Sequence, residues 1–263
     1  MMAGRLRGRV AGLVAGLLLW QGLIALTGLP PFLLPGPLAV AEAAHAFRSL
    51  LAMAALHTAA VMAAGFVAGS VAGCAVGLAM AASPALAARL RGPLLMSQIV
   101  PVFALAPILT LWLGYGMAPK VAVVVLVCFF PVAAAFLDGL DRPSPACMDL
   151  ARTMGATRWR TLWHLRIPLA LPGLCSGMKL AAAYASVGAV IGEWVGGSEG
   201  LGAVMLHANG RMRIDLTFAA LAVLTVLAVA FHGVVCHGLD RSLRRFVPVP
   251  GGRGWAGEPR LSG

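Results

Sequence analysis

Apolar runs with almost no charge recur six times along this chain, from about Val10 to Leu29, Ala54 to Ala82, Leu94 to Leu113, Val121 to Leu137, Gly173 to Val195 and Leu216 to Gly238. A bilayer core about 30 Å thick takes roughly 20 apolar residues per helix, so each run has the length of a membrane span. Water cannot satisfy backbone N–H and C=O groups inside lipid, and helices satisfy them within the segment. The expected fold class is therefore all-α, a polytopic membrane protein with six transmembrane helices. Composition agrees: 60% of residues are hydrophobic and only 11% charged, where a soluble surface needs about a quarter charged. Pro101 and Pro107 predict a kink in the third span.

The charges that remain are lopsided, 20 Lys+Arg against 9 Asp+Glu. Bases collect on the cytoplasmic side of a bilayer, so their distribution orients the chain. Fifteen lie in the N-terminus, the loop with Arg89 and Arg91, the segment from Asp138 to Pro172 and the C-terminal tail. Four, Arg48, Lys120, Arg211 and Arg213, lie on the opposite side, and Lys179 falls inside the fifth span. Both termini are thus expected in the cytoplasm. The net charge of +11 reflects this bias and points to no nucleic-acid partner. Residues 1–9 read as a cytoplasmic N-terminus ahead of a retained anchor. Residues 10–247 read as the membrane domain, and 248–263, rich in Pro and Gly, as a disordered cytoplasmic tail.

Between the fourth and fifth spans, residues 138–172 are too long for a turn and too charged for a span. Five arginines between Asp138 and Arg166 would cost on the order of 15 kcal/mol to insert. Helically spaced Leu150, Met154, Leu162 and Leu165, beside Trp159 and Trp163, predict two short amphipathic helices joined at Gly155. In the second span Gly65, Gly69, Gly73 and Gly77 form a small-residue stripe for close helix packing, with Gly188 and Gly192 repeating the device in the fifth.

Chemistry-bearing motifs are missing. There is no G-x-S-x-G, no H-E-x-x-H and no phosphate-binding G-x-x-x-x-G-K-[ST]. Cys74, Cys128, Cys147, Cys175 and Cys236 form no C-x-x-C pair, so neither a zinc site nor a disulfide framework is indicated. No metal or cofactor is expected on this chain. The polar residues His57, Thr58, Tyr184 and Ser186 are expected either to line a path through the bundle or to bond a neighbouring helix, and Asn209 to join such a path. A membrane-embedded enzyme needs a carboxylate pair or an activated nucleophile at membrane depth, and a secondary carrier needs buried acids or inverted repeats.

In the loop, Asp149-Leu150-Ala151-Arg152-Thr153-Met154-Gly155 is followed by nine residues and then Leu165-Arg166-Ile167-Pro168. This resembles the signature loop of membrane permeases of binding-protein-dependent ABC importers, whose pattern is E-A-A, three residues, Gly, nine residues, I-x-L-P. Asp149 stands for Glu, Leu150 for Ala, and Leu165 and Ile167 for other apolar residues. The flanking A-R-T-M-G-A-T-R-W-R-T-L-W-H-L-R-I-P-L-A-L-P-G and the later G-E-W-V-G-G-S-E-G-L-G at Gly192 to Gly202 are similar to the sulfonate, taurine, nitrate and pyrimidine branch. The second stretch looks most like permeases for hydroxymethylpyrimidine, a thiamine precursor.

That resemblance implies a transport subunit without catalysis of its own. It implies a cytoplasmic coupling loop at 138–172, with Asp149, Ala151, Gly155, Leu165, Ile167 and Pro168 contacting a separate ATPase, present in two copies, that uses ATP and Mg. It implies a substrate-binding protein outside the membrane, docking on the loop from Gly196 to Arg213, and a second permease copy in a homodimer. The alternative cargoes are taurine, an alkanesulfonate or nitrate.

Overall fold

The computed structural model describes residues 2–97 and 99–246; the expected tail at 248–263 lies outside them. The described chain is built from helices. In order they are α1 (Met2–Thr27), α2 (Pro37–Ala46), α3 (Arg48–Ala82), α4 (Pro84–Met96), α5 (Val102–Leu113), α6 (Met117–Leu140), α7 (Pro145–Thr153), α8 (Arg158–Thr161), α9 (Ile167–Gly196), α10 (Leu201–Gly210) and α11 (Ile214–Phe246). A single π turn, Leu162–Arg166, joins α8 to α9, so Arg158–Gly196 is one continuous rod. Among the described residues four helices are long and apolar enough to cross a membrane: α3, α6, the rod and α11. The all-α polytopic class is borne out.

Three expectations about elements are corrected. The third span is two helices rather than one kinked helix. The chain leaves α4 at Ser97 and restarts at Val102 with Pro101 as its N-cap, because a proline offers no N–H and drives the residue before it out of helical geometry. Twelve residues of α5 rise only about 18 Å. In the signature loop the second short helix does not end before the span. The π turn, with Ile167 N–H bonding five residues back to Leu162, carries it past Pro168 and straight into α9. The segment after Gly196, read as a loop, folds from Leu201 to Gly210 into α10.

At the centre, α6 lies between α3 and α9 and packs along both. Gly65, Gly69, Gly73 and Gly77 all face α6: a Cβ on Gly69 would stand 2.9 Å from the Cβ of Cys128, and one on Gly73 2.8 Å from the Phe129 carbonyl. On the other flank Gly177 meets the Pro131 carbonyl at 2.6 Å, and Gly192 the Cα of Lys120 at 2.8 Å, by the same construction. Without a hydrophobic drive between helices in lipid, such backbone approach is what supplies dispersion contact. The small-residue stripe is therefore an intramolecular seam. Val61, Met62, Val124, Cys128, Ala181 and Ala185 fill the space beside it, and Phe66 meets Phe231 of α11 edge-on at 5.6 Å. By contrast, α1 leaves Leu18, Leu19 and Leu26 exposed and touches the bundle chiefly at α2 and through Trp20 against Phe218.

Candidate functional site

The segment matching the signature pattern starts with Ser144 as N-cap of α7, its hydroxyl accepting from Cys147 N–H at 3.4 Å, and Pro145 in the first turn. The helix ends in a Schellman motif: Ala156 N–H bonds Ala151 C=O at 3.0 Å and Gly155 N–H bonds Arg152 C=O at 2.9 Å. Gly155 sits at φ +74° with nothing within 4 Å of where a Cβ would be. The glycine is thus required by its backbone angle, and size plays no part within this chain. We expect Gly155→Val to lose about 1–2 kcal/mol at this cap and Gly155→Asn, which tolerates left-handed geometry, to stay close to wild type. Thermal midpoints of the two purified variants check this, and equal midpoints would reject it.

Of the other residues in the pattern, Asp149 is exposed and pairs with Arg152 at 3.0 Å. Ala151 is half-buried, Leu165 and Ile167 are half-buried on the rod, and Pro168 is exposed in its run into α9. Leu150, Met154, Trp159 and Trp163 all present apolar surface outward, from 55% to 77% exposed. Leu162 turns the other way and is buried against Phe136, Leu140 and Ala170.

Arg166 fastens this loop to the bundle. Its Nε donates to the Leu140 carbonyl at 2.8 Å, its Nη1 to the Ala81 carbonyl at 3.1 Å and its Nη2 to the Asp141 carboxylate at 2.9 Å. The other Asp141 oxygen accepts from Arg91 at 2.5 Å. One guanidinium therefore caps the carbonyl ends of both α3 and α6, where a positive charge also suits the helix dipoles. Planarity and five donors allow this; an ammonium has neither. Sequence reading passed over Arg166 because only the apolar positions around it define the pattern.

The residues expected to line a path are not gathered into one lining. Tyr184 is exposed midway along α9, in a cleft of about 260 Å³ with Ser97, Val102, Leu126, Phe130 and Pro131. Ser186, two residues on, is half-buried and bonds back to the Ala183 carbonyl at 3.2 Å. Asn209 is exposed near the end of α10. His57 stands on α3 at the far end, its Nε2 3.1 Å from the Glu199 carboxylate. Lys179, the base inside the fifth expected span, is paired with Asp240 of α11 at 2.5 Å.

Sequence reading missed a polar knot at the end of the bundle opposite the loop. Glu193 is fully buried near the end of α9, and its carboxylate accepts from Thr58 Oγ1 at 2.8 Å and from Gly202 N–H at 2.7 Å. Thr58 Oγ1 in turn accepts from Leu201 N–H at 2.9 Å. Lys120, also buried, donates its Nζ to the Glu199 carbonyl at 3.0 Å. A glutamate inside an apolar run is itself the signal that could have found this knot. Among the described residues no group of three metal-ligating side chains occurs.

Residues 65–247 match the family described as binding-protein-dependent transport system inner membrane component. Among curated proteins, the chain is 40% identical over 231 residues to a probable ABC transporter permease protein of Haemophilus influenzae, covering 88% of this chain and 93% of that one. It is 40% identical over 235 residues to the riboflavin transport system permease protein RibX of Chloroflexus aurantiacus, covering 88% and 86%. To the formylaminopyrimidine transport permease protein ThiX of Halalkalibacterium halodurans it is 40% identical over 138 residues, covering 52% and 55%.

Proposed function

The chain belongs to the family of binding-protein-dependent transport system inner membrane components, and from that premise we propose that this ABC transporter permease passes a small uncharged solute bearing a pyrimidine ring, an aminopyrimidine precursor of thiamine. The observation that carries the cargo class is the cleft around Tyr184. Its lining is apolar and aromatic with two hydroxyl groups, and it holds no cation. Both lysines within the spans are engaged elsewhere, Lys120 on the Glu199 carbonyl and Lys179 on Asp240. The permanently charged groups of an alkanesulfonate, nitrate or the taurine zwitterion would enter this cleft without a partner charge, whereas a neutral ring loses less on leaving water.

The names of two relatives support the same class, since formylaminopyrimidine and riboflavin both contain a pyrimidine ring. A second reading, riboflavin itself, is favoured by the longer match to RibX, 88% of this chain against 52% for ThiX.

In the proposed assembly two permease copies stand on two ATPase subunits, with a substrate-binding protein on the outer side. Fifteen bases against four support a cytoplasmic loop end and cytoplasmic termini. Asp149, Ala151 and Gly155 form the part of the coupling element that enters the ATPase, and the outward Leu150, Met154, Trp159 and Trp163 give it apolar contact area. Leu165, Ile167 and Pro168 carry the rod from it into the membrane. Nucleotide and Mg belong to the ATPase. When the ATPase pair closes, α7 moves as a body, and Arg166 passes the displacement to the ends of α3 and α6 while the rod passes it along α9.

The test is uptake by the complete importer, copurified from gently solubilised membranes and reconstituted in vesicles with its ATPase and binding protein. ATP-dependent uptake of labelled hydroxymethylpyrimidine is expected. Uptake of riboflavin alone supports the second reading. Uptake of taurine or an alkanesulfonate, with neither ring compound carried, overturns both.

A further inference from the structure

The stretch Gly192 to Gly202 draws attention in the sequence as a marker of cargo; Trp194, Ser198 and Glu199 are exposed, whereas Glu193 turns inward and is fully buried. The N-cap position of helix α10 is Gly200, which has no side chain to offer as an acceptor. The first N–H groups of a helix need acceptors, and an N-cap residue normally supplies one. Here Leu201 N–H is taken by Thr58 of α3, and Gly202 N–H by Glu193 of α9. Thr58 and Glu193 are bonded to each other, so three helices meet at one hydroxyl and one carboxylate. Gly200 lies at φ +110°, and a Cβ there would run into the Glu193 carboxyl group; a Cβ on Gly202 would stand 2.9 Å from Glu193 Oε2. The two glycines are thus the space into which the carboxylate fits.

The turn between α9 and α10 is held from outside as well. Lys120 of α6 donates to the Glu199 carbonyl, and His57 of α3 meets the Glu199 carboxylate. Burying a carboxylate is costly, and removing one partner of such a group costs more than the pair contributes, which makes this knot resistant to partial opening. At its other end the rod ending in this knot is the signature loop itself: 39 residues without a break, roughly 58 Å at 1.5 Å each.

We propose that Glu193, with Thr58, is a positioning residue for transport: it clamps the start of α10 to α9 and α3, so that a displacement arriving along the rod moves α10 with it at the outer face. The inference rests on the importer reading above and is independent of which solute is carried. Within the Gly192–Gly202 stretch, Glu193, Gly200, Leu201 and Gly202 then form a mechanical joint.

The experiment compares Thr58→Val with Thr58→Ser in the complete reconstituted importer, together with Glu193→Gln. Valine matches threonine in shape but neither donates nor accepts, so it unties both Leu201 N–H and Glu193; serine keeps both bonds. Expected for Thr58→Val is a maximal uptake rate lowered about tenfold with KM unchanged, while Thr58→Ser stays close to wild type. Glu193→Gln keeps the shape but replaces one acceptor oxygen by a donor, and falls between them.

The decisive further readout is the ATPase. Basal hydrolysis is retained in Thr58→Val, and its stimulation by loaded binding protein is lost. A purely structural role would lower protein level and basal hydrolysis together, and that result overturns the proposal. So does Thr58→Val uptake equal to wild type, or a raised KM at unchanged maximal rate, which would make the residue a cargo contact. Should Glu193→Gln fail to insert, the threonine pair decides alone. Wild-type vesicles that carry no solute would indict the importer reading instead, since the joint is judged only against a working wild type.

Discussion

Gly65→Leu will prevent α3 from seating on α6 and will cost at least about 3 kcal/mol, the upper part of the range for overpacking a filled interior. A Cβ at Gly65 already runs into the Val124 side chain, and the Val121 carbonyl lies 3.2 Å away. Val124 is fully buried and packed from its other side by α9, with Gly188 only 3.1 Å from its Cα by the same construction. It therefore has nowhere to go, and the leucine must push the two helices apart. Yield of monodisperse protein in mild detergent, and its thermal midpoint, measure the loss.

Gly92→Leu supplies the control, because nothing lies within 4 Å of a Cβ there and the substitution is the same. A double cycle sharpens the test: Val124→Ala should recover part of what Gly65→Ala loses, with a coupling of about 1 kcal/mol for residues in direct contact. Equal stability of Gly65→Leu and Gly92→Leu would show that α3 and α6 do not approach at backbone distance.

Arg166→Ala will leave the protein inserted and stop transport. The substitution frees the terminal carbonyls of α3 and α6 and strips Asp141 of one partner, a loss on the order of 2–3 kcal/mol concentrated at the joint between loop and bundle. Because Leu162 still packs on Phe136 and Leu140, the loop remains in place but is no longer rigidly fastened. In reconstituted vesicles the expected signature is ATP hydrolysis that continues with little solute moved. Arg166→Lys should rescue poorly, since a single ammonium cannot reach two carbonyls and a carboxylate in a fixed fork. Full uptake by Arg166→Lys at normal protein level would remove the joint from the mechanism.

Both predictions concern residues whose partners lie far away in the chain, and this is where sequence reading ran out. The third span illustrates the local side of the limit. Its apolar run is continuous from Leu94 to Leu113, so hydropathy alone makes it one element, whereas the break at Ser97–Pro101 follows from how a proline treats the backbone before it. Pro168 shows the reverse. It lies in the first turn of α9, two residues beyond the π turn, and the helix continues through it. Backbone geometry at a proline depends on what can satisfy the carbonyl it leaves free, and a string of letters does not contain that neighbour.

What the sequence determined by itself is the membrane character, the helical class, the location of the four long spans though not where each helix begins, and the frame of the signature loop. Each rests on quantities that sum along the chain: apolar length against bilayer thickness, the placement of bases, and the spacing of Asp149, Gly155 and Pro168. Tertiary structure decided which way each helix turns. The glycines of α3 face α6, Arg166 reaches Ala81 across 85 residues of chain, and Glu193 reaches Thr58 across 135. In lipid an apolar helix is hydrophobic all round, so no apolar stripe marks the face that meets a neighbour. Rotation about the helix axis is fixed only when small residues let backbones touch and buried polar groups find partners, and that information resides in pairs of helices.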